Sequence, residues 1–179
     1  KAILPRFQMG QQNVLNLLST DAANGKSYLA QELENYWLSI GLQLRRLTYD
    51  EDFLADDSRY IMARDIKDIC PDIQPNEIAI IEYPNLDDNT IPTGLLNIGT
   101  FNLMVTRANR TWKDVDQKAL KELESRLENK DSLWMCLTET SRYAVEEFVG
   151  QLPPYTRFSN FVYRLSQLGL TATENSRAK

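Results

Sequence analysis

Gly25-Lys26-Ser27 is the stretch of this chain whose residue types and spacing could do phosphate chemistry. Four apolar positions, Val14, Leu15, Leu17 and Leu18, stop at a small polar loop, and a helical pattern begins directly after Ser27. That is the strand–loop–helix context in which backbone N–H groups face phosphate oxygens. The N–H groups of residues 23–28 would cradle the ligand, taking in Asn24, Gly25, Lys26, Ser27 and Tyr28. Lys26 would neutralise phosphate charge, and the Ser27 hydroxyl could reach a magnesium ion. The full pattern has a glycine five residues before Gly25, where this chain has Thr20.

Two acidic positions could complete such a site. In a parallel sheet, ligands sit at the carboxyl ends of strands, so residues just after each apolar run are the ones to read. Thr48-Tyr49-Asp50-Glu51-Asp52 follows one run, and Glu82-Tyr83-Pro84 follows Ile78–Ile81. Carboxylates there can hold magnesium, directly or through water, and orient an attacking group. Asp50, Asp52 and Glu82 are thus the candidate catalytic carboxylates, and Ser27, Asp50 and Asp52 the candidate metal ligands.

The elements that must position these residues are legible in the apolar pattern. Strand-length runs fall at 14–18, 42–47, 78–82, 101–106 and 133–138. Helical spacing appears at Leu29, Leu33, Trp37 and Ile40, and again at Val115, Ala119, Leu120, Leu123 and Leu127. Helices are expected near 26–39 and 112–128, the second opened by a capping box from Thr111 to Asp114. Strands alternating with helices predict an α/β fold with three α/β/α layers and a mainly parallel sheet, similar to P-loop NTPases. Residues 72–76 and 84–92 read as loops, and Pro153-Pro154 as a break before an amphipathic helix over 158–168. One domain over 1–170 and a flexible polar tail over 171–179 are expected.

Composition sets outer bounds. The 179 residues carry a net charge of −5, which argues against a broad nucleic-acid-binding face. The chain has no histidine, so His-based nucleophile systems and metal sites are excluded. Cys70 and Cys136 have no zinc spacing and read as reduced, buried thiols. No run reaches the ~20 apolar residues of a membrane span. The opening Lys1-Ala2-Ile3-Leu4-Pro5, without an initiator Met, looks like a piece of a longer chain. Trp37 and Trp134 are expected in the core and Trp112 partly exposed.

Three segments in order carry a resemblance: Leu-Leu-Ser-Thr-Asp-Ala-Ala-Asn-Gly-Lys-Ser, Leu-Arg-Arg-Leu-Thr-Tyr-Asp-Glu-Asp and Ile-Ala-Ile-Ile-Glu-Tyr-Pro. A later Phe-Asn-Leu-Met-Val-Thr-Arg-Ala-Asn-Arg-Thr-Trp leads into a long helix. The set resembles the cytoplasmic domain of bacterial tyrosine kinases (BY-kinases) associated with chain-length-determinant polysaccharide co-polymerases, relatives of the MinD/ParA ATPases. The resemblance covers roughly residues 13–150. It implies that Gly25, Lys26 and Ser27 end the Walker A loop, that Asp50 and Asp52 form a second acidic motif, and that Glu82 takes the Walker B place. Arg107-Ala108-Asn109-Arg110-Thr111 matches the segment after the next strand.

The resemblance further implies ATP or ADP with magnesium as ligand, and self-association or other polysaccharide-export components as partners. It implies a cytoplasmic domain tethered to the inner membrane through an upstream segment. The departures point to a degenerate, regulatory member with at most weak ATPase or tyrosine kinase activity. Ala22-Ala23-Asn24 replaces the usual Pro-Gly-Glu, Leu54 stands where arginine is common, and Glu82 replaces aspartate. After Pro154 only Tyr155 and Tyr163 remain as tail tyrosines. The alternatives are an active tyrosine autokinase, a soluble MinD/ParA-like switch, and an interaction domain that has lost its ligand.

Overall fold

The computed structural model describes residues 3–8, 11–87 and 89–141. Contacts divide the chain into a unit Lys1–Glu139 and a second unit from Thr140; every element below belongs to the first. The expected domain end at 170, the break at Pro153-Pro154, the helix over 158–168, Tyr155, Tyr163 and the 171–179 tail lie outside the described residues.

Five strands form one parallel sheet: β1 (Asn13–Leu18), β2 (Leu44–Thr48), β3 (Ile78–Glu82), β4 (Phe101–Arg107) and β5 (Leu133–Thr138). Their order across the sheet is β2-β3-β1-β4-β5. β1 and β3 are central, which explains their near-continuous apolar sequences. All five residues of β3 are buried.

The α-helices are α1 (Lys26–Ser39), α2 (Ser58–Ile61), α3 (Thr93–Asn97) and α4 (Asp114–Arg126). The strand order decides which face each covers. A right-handed crossover places its connection on one face when the chain moves one way across the sheet and on the other face when it moves back. Only the β1-to-β2 step runs opposite to the rest. Accordingly α1 packs Ala30 and Trp37 on the face of Leu15, Leu17, Ile80 and Leu103. Tyr60 of α2, Leu95 and Leu96 of α3 and Leu123 of α4 cover the face of Val14, Leu18, Ile81 and Met104. The three-layer α/β/α architecture is therefore present.

α1 cannot cover its whole face alone. Residues 3–8 complete it: Phe7 meets Trp37 and Phe101 edge-on at 5.7 and 5.6 Å, and the Arg6 guanidinium lies 4.7 Å from the Trp134 ring. On the other face, two buried amides bridge the sheet. Asn16 Nδ2 donates to Asn102 Oδ1 at 2.8 Å and to the Leu95 carbonyl at 2.9 Å. Asn102 Nδ2 donates to the Leu96 carbonyl and Ser132 Oγ. Gly99 passes so close that a Cβ there would meet Asn16 Nδ2 at 2.5 Å.

Local details differ from the sequence expectation. β2 begins two residues later than expected, at Leu44. Ile40 lies beyond the end of α1 and is half exposed. α4 begins at Asp114, so Thr111 is not its cap; the Asp116 carboxylate instead accepts from the Lys113 N–H at 2.8 Å. α2 and α3 escape the periodicity because four or five residues complete hardly more than one helical turn. Cys70 is buried and Cys136 partly so, both as free thiols. Trp37 is in the core, whereas Trp134 and Trp112 are both part-buried.

Candidate functional site

The site lies at the carboxyl ends of β1, β2 and β3, beside the place where the chain reverses its direction across the sheet. Such a crevice is where open α/β sheets bind ligands. A cavity of about 240 Å³ opens there, lined among others by Lys26, Ser27, Thr48, Asp50, Glu82 and Asn89. Sequence positions 26, 27, 50 and 82 are thus brought together. Asn24, Gly25, Tyr28 and Asp52 do not line it.

The loop before α1 is tighter than an open phosphate cradle. Ala22–Asn24 form a 3-10 turn, and the Asp21 side chain accepts from the Ala23 N–H at 3.0 Å. Gly25 then takes φ +79°, a left-handed conformation that suits glycine. The loop leans on β5: Thr138 Oγ1 donates to the Asn24 carbonyl at 2.8 Å, and a Cβ on Gly25 would touch that threonine at 3.4 Å. Asn24 is fully buried, and its two amide atoms have no partner among the described residues. Tyr28 is 68% exposed on the outside of α1. No side chain caps α1, so the N–H groups of its first turn remain without intrahelical acceptors.

Thr20 is held in a polar network. Its hydroxyl donates to Asp116, which also pairs with Arg110. Arg110 reaches Thr20 Oγ1 at 3.1 Å and Thr106 Oγ1 at 3.2 Å. Burial of Asp116 favours its neutral form. The hydrogen bonds from Thr20, Lys113 and Arg110, with the Arg110 charge, outweigh that and hold its carboxyl below the usual range.

Lys26 is buried, and its ammonium donates to the Tyr83 carbonyl. Burial lowers its pKa to about 8, against the opposing pull of the Glu82 charge. Glu82 is itself buried and paired: Arg46 Nε donates to its Oε1 at 2.5 Å. Arg46 also reaches Glu34 of α1 at 3.5 Å. Burial favours a neutral Arg46, but its bonds to Glu82 and Glu34 outweigh this and raise its pKa. The second Glu82 oxygen, Oε2, is buried with no partner among the described residues.

The other two carboxylates serve the turn after β2. Asp52 Oδ2 accepts from the Thr48 N–H at 2.7 Å. Asp50 has φ +71° and its N–H donates to the Phe53 carbonyl at 3.0 Å, leaving its side chain exposed at the cavity rim. Among the described residues no three acidic or thiol side chains converge as a metal site.

Sequence reasoning missed Arg46 and the Thr20–Arg110–Asp116 network. A signal for Arg46 existed: an arginine inside a strand, on the side facing a helix, needs an anionic partner. A second cavity of about 350 Å³ lies at the opposite end of the sheet, against Phe7, Ile40, Leu42 and Ile78; none of the candidate site residues lines it.

No family model, no curated protein and no solved structure matches the chain. No helix among the described residues is long and apolar enough to cross a membrane.

Proposed function

We propose that this domain binds a nucleoside di- or triphosphate, ATP or ADP, over the N-terminus of α1, and that it is regulatory rather than strongly catalytic. The observation that carries the reading is the meeting of Lys26, Ser27 and Glu82 around one cavity at the carboxyl end of a parallel sheet. The free N–H groups of the first turn and the helix dipole favour an anion there. A buried ammonium adds fixed positive charge in a poorly solvated place, where it counts for more than in water.

Weak catalysis follows from how the acidic groups are used. Phosphoryl transfer depends on positioning and electrostatics. Glu82 is held by Arg46, and Asp52 is held by its own turn. These engagements favour the regulatory reading over an active tyrosine autokinase. The ordered motifs alone support a place in capsule or exopolysaccharide export, in a cytoplasmic position, with further copies or export components as partners. Any membrane tether would come from a segment outside this chain.

The test is calorimetric titration of ADP and ATP into the wild-type chain and Lys26→Ala. Saturable wild-type binding that is lost in the variant is expected. An unchanged affinity in Lys26→Ala, or no wild-type binding, rules out the site.

A further inference from the structure

We infer that the site binds its polyphosphate without magnesium, because Arg46 already neutralises the carboxylate beside which the metal would sit. This rests on the proposed nucleotide site and concerns how that site balances charge. Magnesium keeps several of its waters and is typically held by one or two carboxylates together with the substrate's phosphates. The carboxylates here do not fit that task. Asp52 Oδ2 is taken by the Thr48 N–H, and Asp52 is not among the residues lining the cavity. Asp50 is exposed at the rim, and its carboxylate is engaged by the neighbouring Tyr49 hydroxyl. Glu82 is the one buried carboxylate lining the cavity, and a 2.5 Å charge-assisted bond from Arg46 takes its Oε1.

The charges point the same way. Two cations, Lys26 and Arg46, stand beside the single buried anion Glu82, with the part-exposed Glu34 3.5 Å beyond Arg46. A dication placed among them would face repulsion from both, whereas phosphate oxygens would be attracted. The second Glu82 oxygen, Oε2, is buried away from solvent, so it offers no open position to a hydrated cation. Arg46 therefore acts as a positioning residue: it fixes Glu82 and removes the charge that would recruit a cation.

The experiment is calorimetric titration of ADP, once with chelator and once with excess magnesium, for wild type, Arg46→Gln and Arg46→Lys. Circular dichroism checks that each variant is folded. Wild-type affinity in chelator should equal or exceed that in magnesium. Arg46→Gln removes the guanidinium that occupies Glu82, so magnesium should raise its ADP affinity by about tenfold or more. Arg46→Lys keeps the positive charge and should stay metal-independent. Should Arg46→Gln not fold, wild type and Arg46→Lys decide. Wild-type binding that requires magnesium overturns the inference while leaving the nucleotide site standing, as does a folded Arg46→Gln that ignores magnesium. Wild-type binding under neither condition overturns both.

Discussion

The Thr20 hydroxyl donates to the buried Asp116 carboxylate, joining the end of β1 to the first turn of α4. Position 20 is where the phosphate-loop pattern has a glycine. In this chain it ties the loop to Arg110 and α4. Thr20→Gly would restore the pattern and remove a donor from a buried carboxylate. Unfolding by urea should show a loss of about 1–3 kcal/mol, and ADP affinity should not rise. Tighter binding at undiminished stability would show that the threonine hinders the loop and contributes nothing to the fold.

Lys26 makes stability depend on pH in a defined window. Its folded pKa, about 8, lies below the 10.5 of an ordinary lysine. Below pH 8 the ammonium is charged in both states, and its burial cost is fully present. Between 8 and 10.5 the unfolded chain holds the proton that the folded chain has lost, so stability rises with pH, by up to about 3 kcal/mol. Lys26→Met should lack this rise. The difference in unfolding free energy between the two chains at pH 7.5 and pH 10 measures it directly. A constant difference would mean that the lysine is not desolvated.

Phosphoryl transfer should be close to background. With labelled ATP and magnesium, neither wild type nor Asp50→Ala/Asp52→Ala should form phosphotyrosine above a blank. The double variant should instead lose about 1 kcal/mol of stability, because the Thr48 N–H loses its acceptor. A strong wild-type phosphotyrosine signal that disappears in the variant would establish the kinase reading.

The sheet and its two long helices were legible because their apolar patterns are local and long. Val14–Leu18, Ile78–Ile81 and the α1 and α4 spacings each announce one element. The short α2 and α3 carry no such period, and their places depend on distant partners. Arg126 Nε, for example, donates to Thr93 Oγ1 at the start of α3. At the site, Lys26, Ser27 and Glu82 could be read from strand ends. What those carboxylates do could not. Whether Glu82 meets a ligand or an arginine depends on Arg46, 36 residues away on the neighbouring edge strand. Asp52 bonds within its own turn, a geometry that the residue type alone leaves open.

The pairing of Phe7 with Trp37 and Phe101 has a practical reach beyond the fold. Because only one connection runs back across the sheet, one face relies on the chain's first described residues for its hydrophobic cover. An affinity tag placed there, or a start site moved past Phe7, alters the protein interior as a core mutation would. Stabilities and affinities measured on differently trimmed versions would therefore describe different molecules, even with every residue of the nucleotide site intact.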